Sequence, residues 1–226
     1  DYERRLRTLP PELADALLNG DFLGAVADRP LQVCPNSWVR AAQARWRPDC
    51  DLPITHIGVD PSRGGRDRCV VTVRRRHHID PLIVLTRDQC RTGGAVAARV
   101  LDIIGGHSPL VRVDVIGVGS SVYDHLQPYL GTLVEPVTAN ASPSPGNGQR
   151  YHNRRAEDYW SLRDRLDPAN SVLELPPDPV LYSELTAPAY TVTARGIQIN
   201  AKEQIIKMLG RSPDLADSVV LACSMG

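Results

Sequence analysis

The sequence has only two lysines, Lys202 and Lys207, so almost all of its positive charge is arginine. The planar guanidinium suits bidentate phosphate contacts, although a GC-rich coding sequence would leave the same bias. Excess charge of either sign is also missing. Lys+Arg and Asp+Glu both number 26, which speaks against a general nucleic-acid coat protein. It leaves room for an enzyme that gathers carboxylates in one place and offsets them with arginines elsewhere. No apolar run is long enough to cross a bilayer and no signal-peptide pattern opens the chain, so neither a membrane nor a secreted protein is expected. The chain opens on Asp1 rather than Met, as a piece of something longer would. The cysteines, Cys34, Cys50, Cys69, Cys90 and Cys223, are odd in number and contain no CxxC. That argues against a disulfide framework or zinc knuckle and for reduced, mostly buried thiols in a cytosolic protein. HExxH, GxSxG and GxxxxGK[ST] are all absent, which removes the zincin, nucleophile-elbow and P-loop readings.

What is present suits one globular domain with an extra segment. Of 226 residues, 42% are hydrophobic and 23% charged, enough apolar material for a proper core. Residues 1–50 read as a helical lead-in, with Leu6, Leu9, Leu13, Leu17 and Leu18 at helical spacing. A second helix follows in "PNSWVRAAQARW", capped by Asn36 or Ser37. Residues 51–226 form the main domain. Strands are expected at Ile54–Val59, Cys69–Arg74 and Pro81–Leu85, then a helix at 92–104, a strand at 111–116, a helix at 120–129 and a strand at 132–137. The stretch "TANASPSPGNGQR" reads as a flexible surface loop. Helices at 153–166 and 213–223, a short helix behind prolines, and a hairpin around "ARG" complete the chain. The strand at 111–116 is apolar enough for burial on both faces, as in a parallel sheet. Three strands in a meander followed by helix, strand, helix, strand fit few topologies. One places the fourth strand parallel beside the first. That is the ribonuclease H-like arrangement, a mixed five-stranded sheet flanked by helices.

This topology makes a statement about two acids. Asp60 ends the first strand in "HIGVD", and Asp114 lies in the fourth in "VRVDVIGVG". On adjacent parallel strands the two carboxylates can meet near the carboxyl edge of the sheet, where open α/β sheets bind ligands. An unpaired carboxylate inside an apolar run is costly, and a metal ion would remove that conflict. Asp214 and Asp217, three apart at the start of the last helix, share a face. Asp214 alone is equally well a first-turn helix acid favoured by the dipole. Oxygen donors without a nearby Cys or His set favour hard cations, Mg²⁺ or Mn²⁺, and such a cluster can hold two of them. Gly117 and Gly119 in "GVGSS" follow a strand as in a dinucleotide site, but the third glycine is missing. Close passage of the backbone beside the metals explains them better. Ser120 and Ser121 suit helix caps, and His56 suits a structural role.

The segments "HIGVDPSRGGRDRCVV", "VRVDVIGVGSSVYDHL", "NRRAEDYWSLRDRL" and "KEQIIKMLGRSPDLADSVVLA" resemble, in that order, the motifs of the C-terminal nuclease domain of phage large terminase subunits. The lead-in "LLNGDF…VCPNSWVRAAQARW" resembles the segment that follows the packaging ATPase in that family. The resemblance implies a ribonuclease H-like endonuclease that cuts double-stranded DNA concatemers during genome packaging, with two Mg²⁺ or Mn²⁺ ions. It implies Asp60 as the first metal ligand, Asp114 as the second and Asp217 as the third, with Asp214 beside it. Asp67 would match an accessory acid, against a reading as a plain turn residue. Ala is usual in the family where Ser218 stands. The partners implied are DNA, an ATPase domain that this sequence lacks, the small terminase subunit and the portal protein, in the cytoplasm of a bacterial host. For contact with DNA, Arg63, Arg66 and Lys202 come first because they neighbour the acids in sequence, then Arg154 and Arg155 after the loop. Each such cluster is equally well a solvated face. The rivals are a Holliday-junction-resolvase-like nuclease and a non-catalytic module that docks DNA or the portal.

Overall fold

The computed structural model describes residues 27–65 and 67–224. The leucine pattern at 6–18 and Arg66 lie outside the described residues. A single mixed sheet organises the rest. Strand β1 (His56–Asp60) lies at its centre, antiparallel to β2 (Cys69–Arg75) on one side. On the other side β1 is parallel to β5 (Leu110–Asp114), and β5 is parallel to β6 (Val134–Val137). The far edge of β2 carries two short antiparallel pieces, β3 (His78–Ile79) and β4 (Ile83–Leu85). The expected third strand at Pro81–Leu85 shortens to β4, β3 is an added piece ahead of it, and the sheet counts six strands rather than five. Pro81 falls between them, and a proline has no N–H to give to a ladder.

The two faces follow from the period of two along a strand. Ile57, Val59, Val71, Val73, Val111 and Val113 face one way. They pack on α2 (Gly93–Ile104) and α3 (Gly119–Leu130) through Val96, Val100, Val122 and Leu126. The opposite face carries the even-numbered residues, including Gly58, Asp60, Thr72, Arg74, Arg112 and Asp114. It is covered by α4 (Arg154–Leu166) and α7 (Asp214–Cys223), with α1 (Asn36–Arg45) and α5 (Pro179–Thr186) behind them. Val33, Cys34, Val39 and Ala42 join that second core beside Tyr159, Leu162 and Leu181. A two-stranded hairpin of β7 (Tyr190–Thr193) and β8 (Gly196–Ile199) stands beside it. It leads into α6 (Lys202–Leu209).

Several local expectations change. Helix α6 was not foreseen in "KEQIIKMLG", although Gly210 in the left-handed region (φ 72°) ends it as a helix stop should. The N-terminal residue α1 follows is Pro35, and neither Asn36 nor Ser37 caps it. Asp28 reaches in instead and accepts from both Ser37 N (2.8 Å) and Ser37 Oγ (2.5 Å). Nor do Ser120 and Ser121 cap α3, which starts at Gly119 without a side-chain cap. The loop after β6 is pinned rather than loose. The buried Glu157 accepts from Ser144 N (2.8 Å) and Asn147 Nδ2 (2.7 Å), and Arg154 N and Arg155 N donate to Ala141 O and Ala139 O. No described helix is long and apolar enough to cross a membrane.

Candidate active site

Two strand ends and one helix start converge. Asp60 and Asp114 are the last residues of β1 and β5. The pairing Val59↔Val113 sets them level on neighbouring parallel strands. The period-two alternation turns both towards α7. That helix lies close on β1 because Gly58 has no side chain. A Cβ there would stand 2.2 Å from Ser218 O and 2.5 Å from Ala222 N. Its first turn thereby brings Asp214 and Asp217 over the same sheet edge. Gly119 does a similar service for α3, since a Cβ would overlap Asp114 O. This is the close backbone passage expected of "GVG".

The N-terminus of α7 has no cap of its own, because Pro213 precedes it. Glu184, fully buried on α5, accepts instead from Leu215 N (2.9 Å) and Ala216 N (3.1 Å), and Arg211 Nε holds its other oxygen (3.1 Å). Two orphan helix donors are satisfied from a different helix.

Each helix or strand acid but one is braced by a donor. Asp114 Oδ1 accepts from Ile116 N (3.0 Å), and Asp214 Oδ2 from Arg68 N (2.7 Å). Asp217 Oδ1 accepts from Tyr159 OH (3.0 Å), while its Oδ2 pairs with Lys202 Nζ (2.7 Å). Asp60 has charged neighbours instead. Burial raises its pKa well above the ordinary carboxylate range, and the charges of Asp217, Asp214 and Asp114 push the same way against Lys202. Burial also raises Asp114, against the hydrogen bond from Ile116. Burial pulls Lys202 down, but Asp217 and Asp60 outweigh it and leave its pKa above normal. The Tyr159 phenol is raised well above its usual value by burial and by Asp217.

These groups line one cleft of about 620 Å³. Asp60, Asp67, Asp114, Asp158, Glu203, Asp214 and Asp217 lie in its wall, against Arg68, Arg155 and Lys202. The cleft thus has an excess of carboxylates held together at the cost of mutual repulsion. An all-oxygen donor set with uncompensated negative charge fits hard divalent cations. Among the described residues no three such groups already stand as an ion cage, and the Lys202 ammonium holds Asp217 Oδ2. A cation would therefore have to draw that oxygen away from Lys202.

The other expected residues fall in different places. Asp67 is exposed on the cleft wall. Arg155 lines the cleft, with Nη1 donating to Asn200 O (2.9 Å). Arg63 is exposed on the turn after Asp60, away from the lining. Arg154 turns to Asp158 Oδ1 (3.0 Å) and Ser144 Oγ (2.9 Å). Three residues at the site escaped the sequence reading. Asp158, raised to about 6 by burial despite Arg154, lines the cleft. Tyr159 and Glu184 hold the acid-bearing helix. Asp158 and Tyr159 sit in "NRRAEDYW", and the helical spacing of Ala156, Tyr159, Leu162 and Leu166 marks a buried face that the sequence shows. Nothing local marks Glu184.

The fold is that of solved nuclease domains from viral large terminase subunits. The nuclease domain of the large terminase subunit gp2 of bacterial virus Sf6 superposes with TM-score 0.65 at 18% identity, covering 86% of this chain and 99% of that one. A mutant of that domain with manganese and beta-thujaplicinol gives 0.67, also at 18% identity and over 86% and 99% of the two chains. The large terminase nuclease from thermophilic phage G20c with bound magnesium gives 0.52 at 19% identity, over 78% of this chain and 82% of that one. No protein-family profile and no curated protein matches the sequence.

Proposed function

We propose that the chain is a metal-dependent nuclease of the large-terminase kind, which cuts double-stranded DNA concatemers during phage genome packaging. The observation that carries this reading is the meeting of Asp60, Asp114, Asp214 and Asp217 in one cleft of excess negative charge. A cleft of that sign repels a phosphodiester unless cations fill it. The solved domains of the same fold are described with manganese and with magnesium.

In this reading Asp60, Asp114 and Asp217 hold two Mg²⁺ or Mn²⁺ ions, with Asp214 beside them and Asp67 as an accessory acid. Bound there, such ions lower the pKa of an attacking water and stabilise the leaving 3′ oxygen. The chain's own residues do the rest. Asp60, braced by no hydrogen bond among the described residues, offers both oxygens. Ile116 N and Arg68 N each hold one oxygen of Asp114 and Asp214 and leave the other for a cation. Lys202 neutralises Asp217 before cations arrive, and afterwards its ammonium is free to meet a phosphate. Arg155 in the cleft wall is the first candidate to meet the DNA backbone, and Arg63, Arg66 and Arg154 remain further candidates from the sequence. Contacts of this kind give affinity without sequence preference. Residues 1–50 serve as the lead-in from a packaging ATPase domain. That domain, the small terminase subunit and the portal are the partners, in the cytoplasm of the bacterial host.

Plasmid digestion in Mn²⁺ or Mg²⁺ tests the reading. The wild type should cut linear and supercoiled duplex, and Asp60→Ala and Asp114→Ala should lose at least about 100-fold in rate. Equal cutting by all three removes the assignment. Much faster cutting of a branched substrate would favour a junction resolvase instead. Failure to bind divalent ions at all would favour a docking module.

A further inference from the structure

Asp217 differs from its neighbours in how it is held. The donors to Asp114 and Asp214 are backbone N–H groups, so no side-chain change removes them. Asp217 Oδ1 instead takes its hydrogen bond from a side chain on another helix, Tyr159 OH at 3.0 Å. Tyr159 is 1% exposed and packed in the core, so its ring cannot swing away. One turn earlier on α4, the Arg155 guanidinium lies over that ring, 5.0 Å from its centroid. Arg155 is tied in turn to Asn200 O (2.9 Å), two residues before Lys202. The phenol on Oδ1 and the ammonium on Oδ2 are therefore built into one frame.

We infer that Tyr159 is a positioning residue for the metal centre, fixing the rotation of the Asp217 carboxylate so that Oδ2 is the oxygen passed from Lys202 to a divalent cation. This rests on the metal-centre reading above. Without the hydroxyl, Asp217 can turn to follow Lys202 with both oxygens, and a cation must then pay the cost of ordering it. Groups that orient a metal ligand in this way typically contribute about 10–100-fold in metal affinity.

The test is Mn²⁺ binding to the 226-residue chain by titration calorimetry, without DNA, for wild type, Tyr159→Phe and Tyr182→Phe. Tyr182 OH is buried with no hydrogen-bond partner among the described residues, so its loss controls for removing a phenolic oxygen. Tyr159→Phe should weaken Mn²⁺ binding about 10-fold, and Tyr182→Phe should leave it unchanged. Cleavage by Tyr159→Phe should shift to higher Mn²⁺ by the same factor and recover most of its maximal rate at saturation. Wild-type affinity in Tyr159→Phe overturns the inference and leaves the metal centre standing. No Mn²⁺ binding by the wild type overturns both. Should Tyr159→Phe fail to fold, Arg155→Leu takes its place: weaker Mn²⁺ binding supports the frame, and unchanged binding refutes it.

Discussion

Gly58→Ala should be among the most damaging single-methyl additions in the molecule. The added carbon would lie 2.2 Å from Ser218 O, 2.5 Å from Ala222 N and 3.0 Å from Leu221 Cβ. Two of these are backbone atoms of α7, so no rotamer change relieves the clash. Ordinary contact requires roughly 3.5 Å, and α7 must retreat from β1 by about 1 Å. Overpacking of this kind costs about 1–3 kcal/mol. The rigid backbone on both sides argues for the upper end, while the backbone entropy gained on replacing a strand glycine returns about 0.5 kcal/mol. A net loss of about 2–3 kcal/mol is expected, a large share of the roughly 5–15 kcal/mol typical of a domain. Urea unfolding measures it. Because the same retreat carries Asp214 and Asp217 away from Asp60 and Asp114, Mn²⁺ affinity should fall even where the variant is fully folded. A stability change under about 0.5 kcal/mol, the range of a neutral surface substitution, would show that α7 does not rest on β1 as described.

Ser218 is fully buried, and its Oγ meets Thr72 Oγ1 (2.8 Å) and Gly58 O (3.0 Å). Ser218→Ala should cost about 1–2 kcal/mol by stranding the Thr72 hydroxyl, and adding Thr72→Val should recover part of it. Fully additive losses in the double-mutant cycle would refute the pairing. Glu184→Ala should cost about 2–3 kcal/mol, because two helix-start N–H groups lose their acceptor. Glu184→Gln, which keeps an acceptor, should lose less in the same denaturation series. His56 gives a pH dependence. Burial, reinforced by Arg74, Arg165 and Arg112, lowers its pKa from 6.5 to about 4. The folded state then refuses a proton that the unfolded chain accepts, so the stability contributed above pH 6.5 is lost as pH falls towards 4. After discounting for partial exposure this amounts to about 1–2 kcal/mol. The difference between wild type and His56→Gln should shrink by that amount across this window, and a flat difference would contradict it.

The sequence by itself pointed to most of the strand and helix order and to a topology that sets a first strand ending in Asp60 parallel to a strand carrying Asp114, as the sheet has it. Those follow from local periodicity and from carboxylates in apolar settings, which are costly wherever they occur. It also marked "GVG" as a place of close backbone approach, now seen in the contact between Gly119 and Asp114 O. The short β3 ahead of Pro81 and helix α6 both went unread, because two residues of strand and a short helix behind a hairpin have too few repeats for their periodicity to speak. Tertiary structure alone decided who holds what. That Glu184 caps α7, that Tyr159 braces Asp217, that Glu157 pins the loop at 138–153, and that Arg154 pairs with Asp158 are contacts between residues 4 to 58 positions apart. Most of them depend on packing angles between helices and sheet, which no local pattern encodes.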